Sequence, residues 1–146
     1  MTDEFTRHLT ALARERHPQT SPVALQETAA YLSEQFINTG LDITTHQFMA
    51  WGQTYENVIG TKSAEHNADI PPLILAAHYD TVTGSPGADD NASALTVLLE
   101  VALVSKTGRA HIAGRPFNAP DSWLQIATNV FEQPIESEVQ IGRAHV

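Results

Sequence analysis

Residues 72–93 read PLILAAHYDTVTGSPGADDNAS, which parses as a strand, a polar loop and the start of a helix. Leu73, Ile74, Leu75, Ala76 and Ala77 form a short apolar run, as suits a strand buried on both faces. His78 and Asp80 follow at its end. The loop carries Gly84, Ser85, Pro86 and Gly87, all turn formers. Asp89, Asp90, Asn91 and Ser93 come next, just before the apolar helix pattern of Leu95, Leu98, Leu99 and Ala102. In open α/β sheets, ligands bind beyond the carboxyl ends of strands. Here that position holds a His and three carboxylates.

Neutral imidazole and carboxylate together suit a borderline divalent cation such as zinc. In His-x-Asp on an extended strand, the two side chains point to the same face. Asp80 is therefore placed to hold the tautomer of His78, a partnership whose loss typically costs ~10–100-fold in affinity or activity. Asp89 and Asp90 are adjacent at a turn, so they diverge and only one can address an ion. A plainer reading competes. Asp-Asp-Asn-Ala-Ser before an apolar run is also an ordinary helix N-cap cluster, favoured by the helix dipole. Chemistry alone leaves both readings open.

The joint pattern AAHYDTV…SPGADDNAS resembles the M-twenty-eight metallopeptidase family, the co-catalytic zinc aminopeptidases and their glutaminyl-cyclase relatives. The likeness extends upstream through ERHPQTSP and YENVIG and covers residues 5–105. The resemblance implies an α/β, three-layer zinc-exopeptidase-like fold, a mixed β-sheet flanked by helices, here truncated. It implies that His78 binds one zinc, that Asp90 bridges two, and that Asp80 is the carboxylate orienting His78. It implies a cis peptide between Asp90 and Asn91. Ala94 departs from the pattern, standing where the family usually has Gly. The activity implied is removal of N-terminal residues from peptides by a metallo-aminopeptidase. By the same resemblance, zinc would acidify a water to a pKa of about 7 for attack on the scissile carbonyl, and a Glu general base would take its proton. Two alternatives stay open: a glutaminyl-cyclase-like zinc acyltransferase, and a non-catalytic module of the same fold. Retention of His78, Asp80 and Asp90 speaks against the second.

Composition bounds the partners. A chain of 146 residues suits one domain with a real core. A net charge of −9 argues against nucleic acid and anionic membrane; the partner that the resemblance implies is a peptide substrate. There is no Cys, hence no disulfide framework and no thiolate ligand. No apolar run is long enough to span a bilayer. MTDEFTRHL lacks the basic start and apolar core of a signal peptide, so the cytoplasm is the expected location.

The remaining elements follow from periodicity. Phe5, Leu9, Leu12 and Ala13 predict a first helix over 3–16, ended by His17-Pro18. His8 and His17 read as surface or cap residues. Ser21 and Pro22 start a second helix with the apolar stripe Leu25, Ala29, Leu32 and Phe36, capped by Gly40. Residues 41–49 and 55–61 read as strands around a turn at Ala50, Trp51 and Gly52, with His46 half exposed. Residues 63–71 read as a loop. A helix after Asp90 runs to about Ser105.

Beyond Lys106 the likeness stops. The family continues with a strand ending in Glu-Glu, one the general base and the next a zinc ligand. The nearest candidate here is Glu132 in Glu132-Gln133-Pro134, a weak one, because Gln133 is a poor substitute for an anionic ligand. His111 and His145 sit in no ligand context. Residues 141–146, IGRAHV, match the translation of a common sequencing-library adapter. The expected division is thus 1–106 as the N-terminal part of a catalytic domain, 107–140 as a divergent or frame-shifted tail, and 141–146 as adapter-derived. With an incomplete ligand set, this chain is expected to be inactive alone.

Overall fold

A computed structural model describes residues 3–62 and 73–107, together with the short segments 111–112, 115–116 and 124–129. Helix α1 (Asp3–Leu12) buries His8 and Leu12. It stops four residues before the expected end. The Arg14 N–H turns back to the Leu12 carbonyl at 2.9 Å, and residues 13–17 leave the helix to bring the fully buried Arg16 inward. Helix α2 (Pro22–Asn38) opens on Pro22, whose missing N–H costs nothing at a first helical position. Its buried stripe is Leu25, Thr28, Ala29, Leu32 and Phe36. It closes in a Schellman motif: Gly40 N–H bonds the Ile37 carbonyl at 2.9 Å and Leu41 N–H the Phe36 carbonyl at 3.2 Å. Gly40 takes the left-handed φ of 81° that this ending requires.

Strands β1 (Asp42–Ala50) and β2 (Gln53–Lys62) form an antiparallel hairpin. Its two-residue turn, Trp51-Gly52, has positive φ at both positions, the turn whose twist matches the strands. Strand β3 (Leu73–His78) follows. The segment Ala88–Ser93 winds irregularly into α3 (Ala94–Thr107), and then come the two-residue strands β4 (His111–Ile112) and β5 (Arg115–Pro116), paired with each other. Strand β6 (Leu124–Asn129) completes the main sheet.

The sheet order is β1-β2-β6-β3, with β6 antiparallel to β2 and parallel to β3. The sheet is therefore mixed, as expected, with β6 standing between β2 and β3. Helix α3 contacts α1, α2 and the sheet, α2 packs on β1 and β2, and α1 meets α2 through His8 and Tyr31. Leu12, Leu25, Leu32, Phe36, Val58, Tyr79, Leu95 and Leu99 meet in one core. Of α3, Leu95, Leu98, Leu99 and Ala102 are buried, while Val97 and Leu103 face outward.

Candidate metal centre

Strand β3 ends at His78, and its alternation carries two residues further. Tyr79 turns into the core, 1% exposed, and its hydroxyl donates to the Glu56 carbonyl at 2.7 Å. Burial pushes the Tyr79 phenol well above its ordinary pKa, so it stays a neutral donor. Locking Tyr79 inward leaves His78 and Asp80 on the opposite side, together. His78 Nδ1 lies 3.1 Å from Asp80 Oδ1. Its other nitrogen, Nε2, lies 2.9 Å from Asp90 Oδ1. The loop 81–87 thus folds back to bring Asp90 beside a His twelve positions earlier.

At Asp90 the backbone is not helical. Asp90 sits at φ −110°, ψ 86° and Asn91 at φ −143°, ψ 35°, and the peptide between them is cis. No side-chain cap bond forms at the start of this segment. The plain N-cap reading of Asp89-Asp90-Asn91 therefore does not describe this backbone. Asp89 contributes its carbonyl, which accepts from the Ser93 hydroxyl at 2.7 Å, and its side chain is exposed.

Two carboxylates flank one imidazole. The hydrogen bond to Asp80, and then the charges of Asp80 and Asp90, raise the His78 pKa against the opposing effect of burial. Asp80 holds Nδ1, which leaves Nε2 turned to Asp90. Zinc ligand atoms at about 2.0–2.2 Å in tetrahedral array lie ~3.4 Å apart. His78 Nε2 and Asp90 Oδ1 are already close to that separation, so the pair fits zinc as two of its ligands. Among the described residues no group of three or more His, Cys, Asp or Glu gathers as a metal cluster. Glu132, the sequence's base candidate, lies outside the described residues. The parallel register pairs His78 with Asn129, three positions before it.

A cavity of about 340 Å³ opens over the pair, lined by His17, Pro18, Thr81, Val82 and Thr83 as well as His78, Asp80 and Asp90. His17 is a cap, as expected: its Nδ1 accepts the Gln19 and Thr20 amides, both at 3.2 Å. The sequence did not place it at the cavity wall. His8 corrects its surface expectation: it is 5% exposed, with Nδ1 2.7 Å from the Tyr31 hydroxyl. A helix stripe written Phe5, Leu9, Leu12 hides such a His, because Tyr31, its partner, lies on another helix. His46 is half buried on β1, as read, with Asn57 Nδ2 3.3 Å from its Nδ1.

Arg16 was missed outright. Its guanidinium bonds the carbonyls of Leu12, Arg14, Tyr79, Pro86 and Gly87. A lone Arg beside His17-Pro18 carries no signal of burial in a single sequence.

A mixed sheet with a His-x-Asp strand end and a returning Asp defines a zinc-exopeptidase-type α/β domain. The comparisons agree. The profile of peptidase family M28 matches residues 57–132, a little over half of the chain, and the chain belongs to that family. The match runs past Lys106, where the likeness read from the sequence stops, and takes in β6. The chain is 33% identical over 121 residues to the uncharacterized protein YfbL of Escherichia coli, covering 73% of this chain and 36% of that protein. It is 44% identical over 55 residues to the aminopeptidase YwaD of Bacillus subtilis, covering 38% of this chain and 12% of that one. The fold is shared with a Zn-dependent exopeptidase from Parabacteroides distasonis (TM-score 0.63, 20% identity, 86% of this chain and 45% of that one). It is also shared with the glutaminyl cyclase of Macrostomum lignano (TM-score 0.69, 18% identity, 94% and 40%). The chain spans about a third of the length of its Escherichia coli relative and less than half of these two structures.

Proposed function

We propose that this chain is part of a zinc-dependent aminopeptidase, in which His78 and Asp90 hold metal and Asp80 orients His78. The observation that supports this most is the pair of contacts on one imidazole, 3.1 Å to Asp80 and 2.9 Å to Asp90. One carboxylate fixes the ring while the other stands at the atom that would face a cation. When bound, zinc supplies polarisation of the scissile carbonyl and a water acidic enough to attack it. The chain's own part is narrower. Asp80 keeps a proton on Nδ1, Asp90 supplies anionic oxygen, and the cavity beside Val82 and Thr83 admits a peptide end.

A second reading is a glutaminyl-cyclase-like acyltransferase, favoured by the cyclase folds among the structural relatives. Both readings use the same half-site.

Catalytic zinc sites generally have three protein ligands and a water. This chain supplies two in family positions, so we propose that it does not turn over peptides alone. With no Glu base in place among the described residues, a further factor of roughly 10²–10⁴ is lost. The test is hydrolysis of aminoacyl-anilides, and pyroglutamate formation, by residues 1–146 with zinc. The control is the same chain carrying His78→Ala. Neither activity is expected. Zinc-dependent hydrolysis that disappears in His78→Ala would mean that Glu132 or a neighbour completes the site. Cyclisation instead of hydrolysis would favour the acyltransferase.

A further inference from the structure

We propose that Arg16 is the positioning residue of the His78–Asp90 half-site. The assignment rests on the zinc reading of that pair. Its basis is the placement of six hydrogen bonds. The Arg16 N–H bonds Thr81 Oγ1 at 2.9 Å. Nε bonds the Tyr79 carbonyl at 2.8 Å, between His78 and Asp80. The terminal nitrogens bond the carbonyls of Pro86 at 3.2 Å and Gly87 at 3.3 Å, at the far end of the same loop. The remaining two go to Leu12 and Arg14, which tie the guanidinium to the end of α1.

The guanidinium therefore clamps both ends of the segment that separates His78 from Asp90. The Gly87 carbonyl also accepts the Ala92 N–H at 2.9 Å, across the Asp90–Asn91 peptide. Arg16 and Ala92 thus share one acceptor, and the arrangement that sets Asp90 leads directly to Arg16. Space confirms the closeness: a Cβ on Gly87 would come within 2.9 Å of Arg16 Nη2 and 2.7 Å of the Asp90 carbonyl.

The chemistry is specific to arginine. Arg16 is 0% exposed, and every described acceptor of its guanidinium is a backbone carbonyl. The planar guanidinium reaches carbonyls in three directions, Nε to Tyr79, Nη2 to Gly87, and Nη1 shared among Leu12, Arg14 and Pro86; an ammonium has three donors on one atom. Burial pushes the Arg16 pKa down to about 10, while Asp80 and Asp90 favour its charge. It remains a cation behind the two carboxylates, offsetting part of their repulsion before metal enters.

The test compares the full chain with Arg16→Lys and Arg16→Gln by amide hydrogen exchange and by cobalt(II) absorption titration. Arg16→Lys is expected to keep α2 protection at Leu32 and Phe36 while exchange at Ala92 and its neighbours rises at least ~10-fold. His78-dependent cobalt affinity is expected to fall ~10–100-fold, as for loss of other outer partners of metal ligands. Exchange that rises equally in α2 and the loop would make Arg16 a general structural residue and overturn the proposal. Unchanged exchange would do the same. If both variants unfold, native-state exchange of the unsubstituted chain decides. Arg16 Nε–H and the Ala92 amide should open together, below the global free energy. Separate opening overturns the clamp. Failure of the unsubstituted chain to bind cobalt through His78 would sink the zinc reading, while the exchange data still decide the role of Arg16.

Discussion

Gly87 is the residue on which the loop turns. Its φ of 56° is left-handed, and a Cβ there would lie 2.3 Å from Thr81 Cγ2. Gly87→Ala combines a strained backbone with an overlap that Thr81 cannot relieve without moving. It is expected to cost roughly 2–4 kcal/mol, read as a shift of the urea midpoint at constant slope. Gly84, also at positive φ but with open space around it, should tolerate Ala at about 1 kcal/mol. Equal costs at the two positions would show that crowding around Gly87 contributes nothing. His8 offers a pH test remote from the metal residues. Burial first, and then the Arg7 charge, hold its pKa below 6.5, while Glu4 opposes. The unfolded chain therefore takes the proton first. The stabilising contribution is complete above about 6.5 and is lost as pH falls from there towards the lower folded value. His8→Gln should flatten stability between pH 7 and 5.5 while keeping a bond to Tyr31. An unchanged slope would mean that His8 titrates normally. At this scale the sequence was legible where chemistry is local. His-x-Asp puts two side chains on one face by strand geometry alone. It was not legible for His8, whose partner Tyr31 lies 23 residues away, or for Arg16, which reaches Tyr79, Thr81, Pro86 and Gly87 more than 60 residues away.

The elements were legible where periodicity and caps agree. In α2, Pro22 starts, the Leu25–Phe36 stripe is buried, and Gly40 ends it. The hairpin turn was legible because Gly52 marks it. Strand β6 was not. Its residues Leu124–Asn129 were read as tail, since nothing in LQIATN says which strands it joins. Yet it bonds β2 on one side from Leu124 to Thr128 and β3 on the other from Leu124 to Asn129. Removing it leaves two facing ladders of N–H and C=O unpaired. A chain ending at Thr107 is therefore expected to lose cooperative melting and to scatter light at micromolar concentration. If instead it melts like residues 1–146, β6 adds nothing and the division at Lys106 stands.

For the molecule as a whole, the half-site sets how strongly zinc can couple to folding. A ligand that binds only the native state stabilises it by RT ln(1 + [L]/Kd). At 100 µM zinc, a complete site with nanomolar Kd would add about 7 kcal/mol, whereas a two-ligand site with Kd near ~10 µM adds about 1.4. The second figure corresponds to a rise in Tm of roughly 3–6 °C for a chain of this length. The proposed site has two ligands, His78 and Asp90, with Asp80 at the other ring nitrogen. The smaller shift is therefore expected, and it should vanish in His78→Ala. Asp80→Asn keeps an acceptor beside Nδ1 but loses the charge, and should reduce the shift without abolishing it. Differential scanning calorimetry with and without zinc, after chelator treatment, makes the measurement. A rise above 10 °C would require a third and fourth donor, and would point to residues beyond Asn129 as their source. No rise at all, with the fold intact, would separate the exopeptidase fold of this chain from any metal bound at His78.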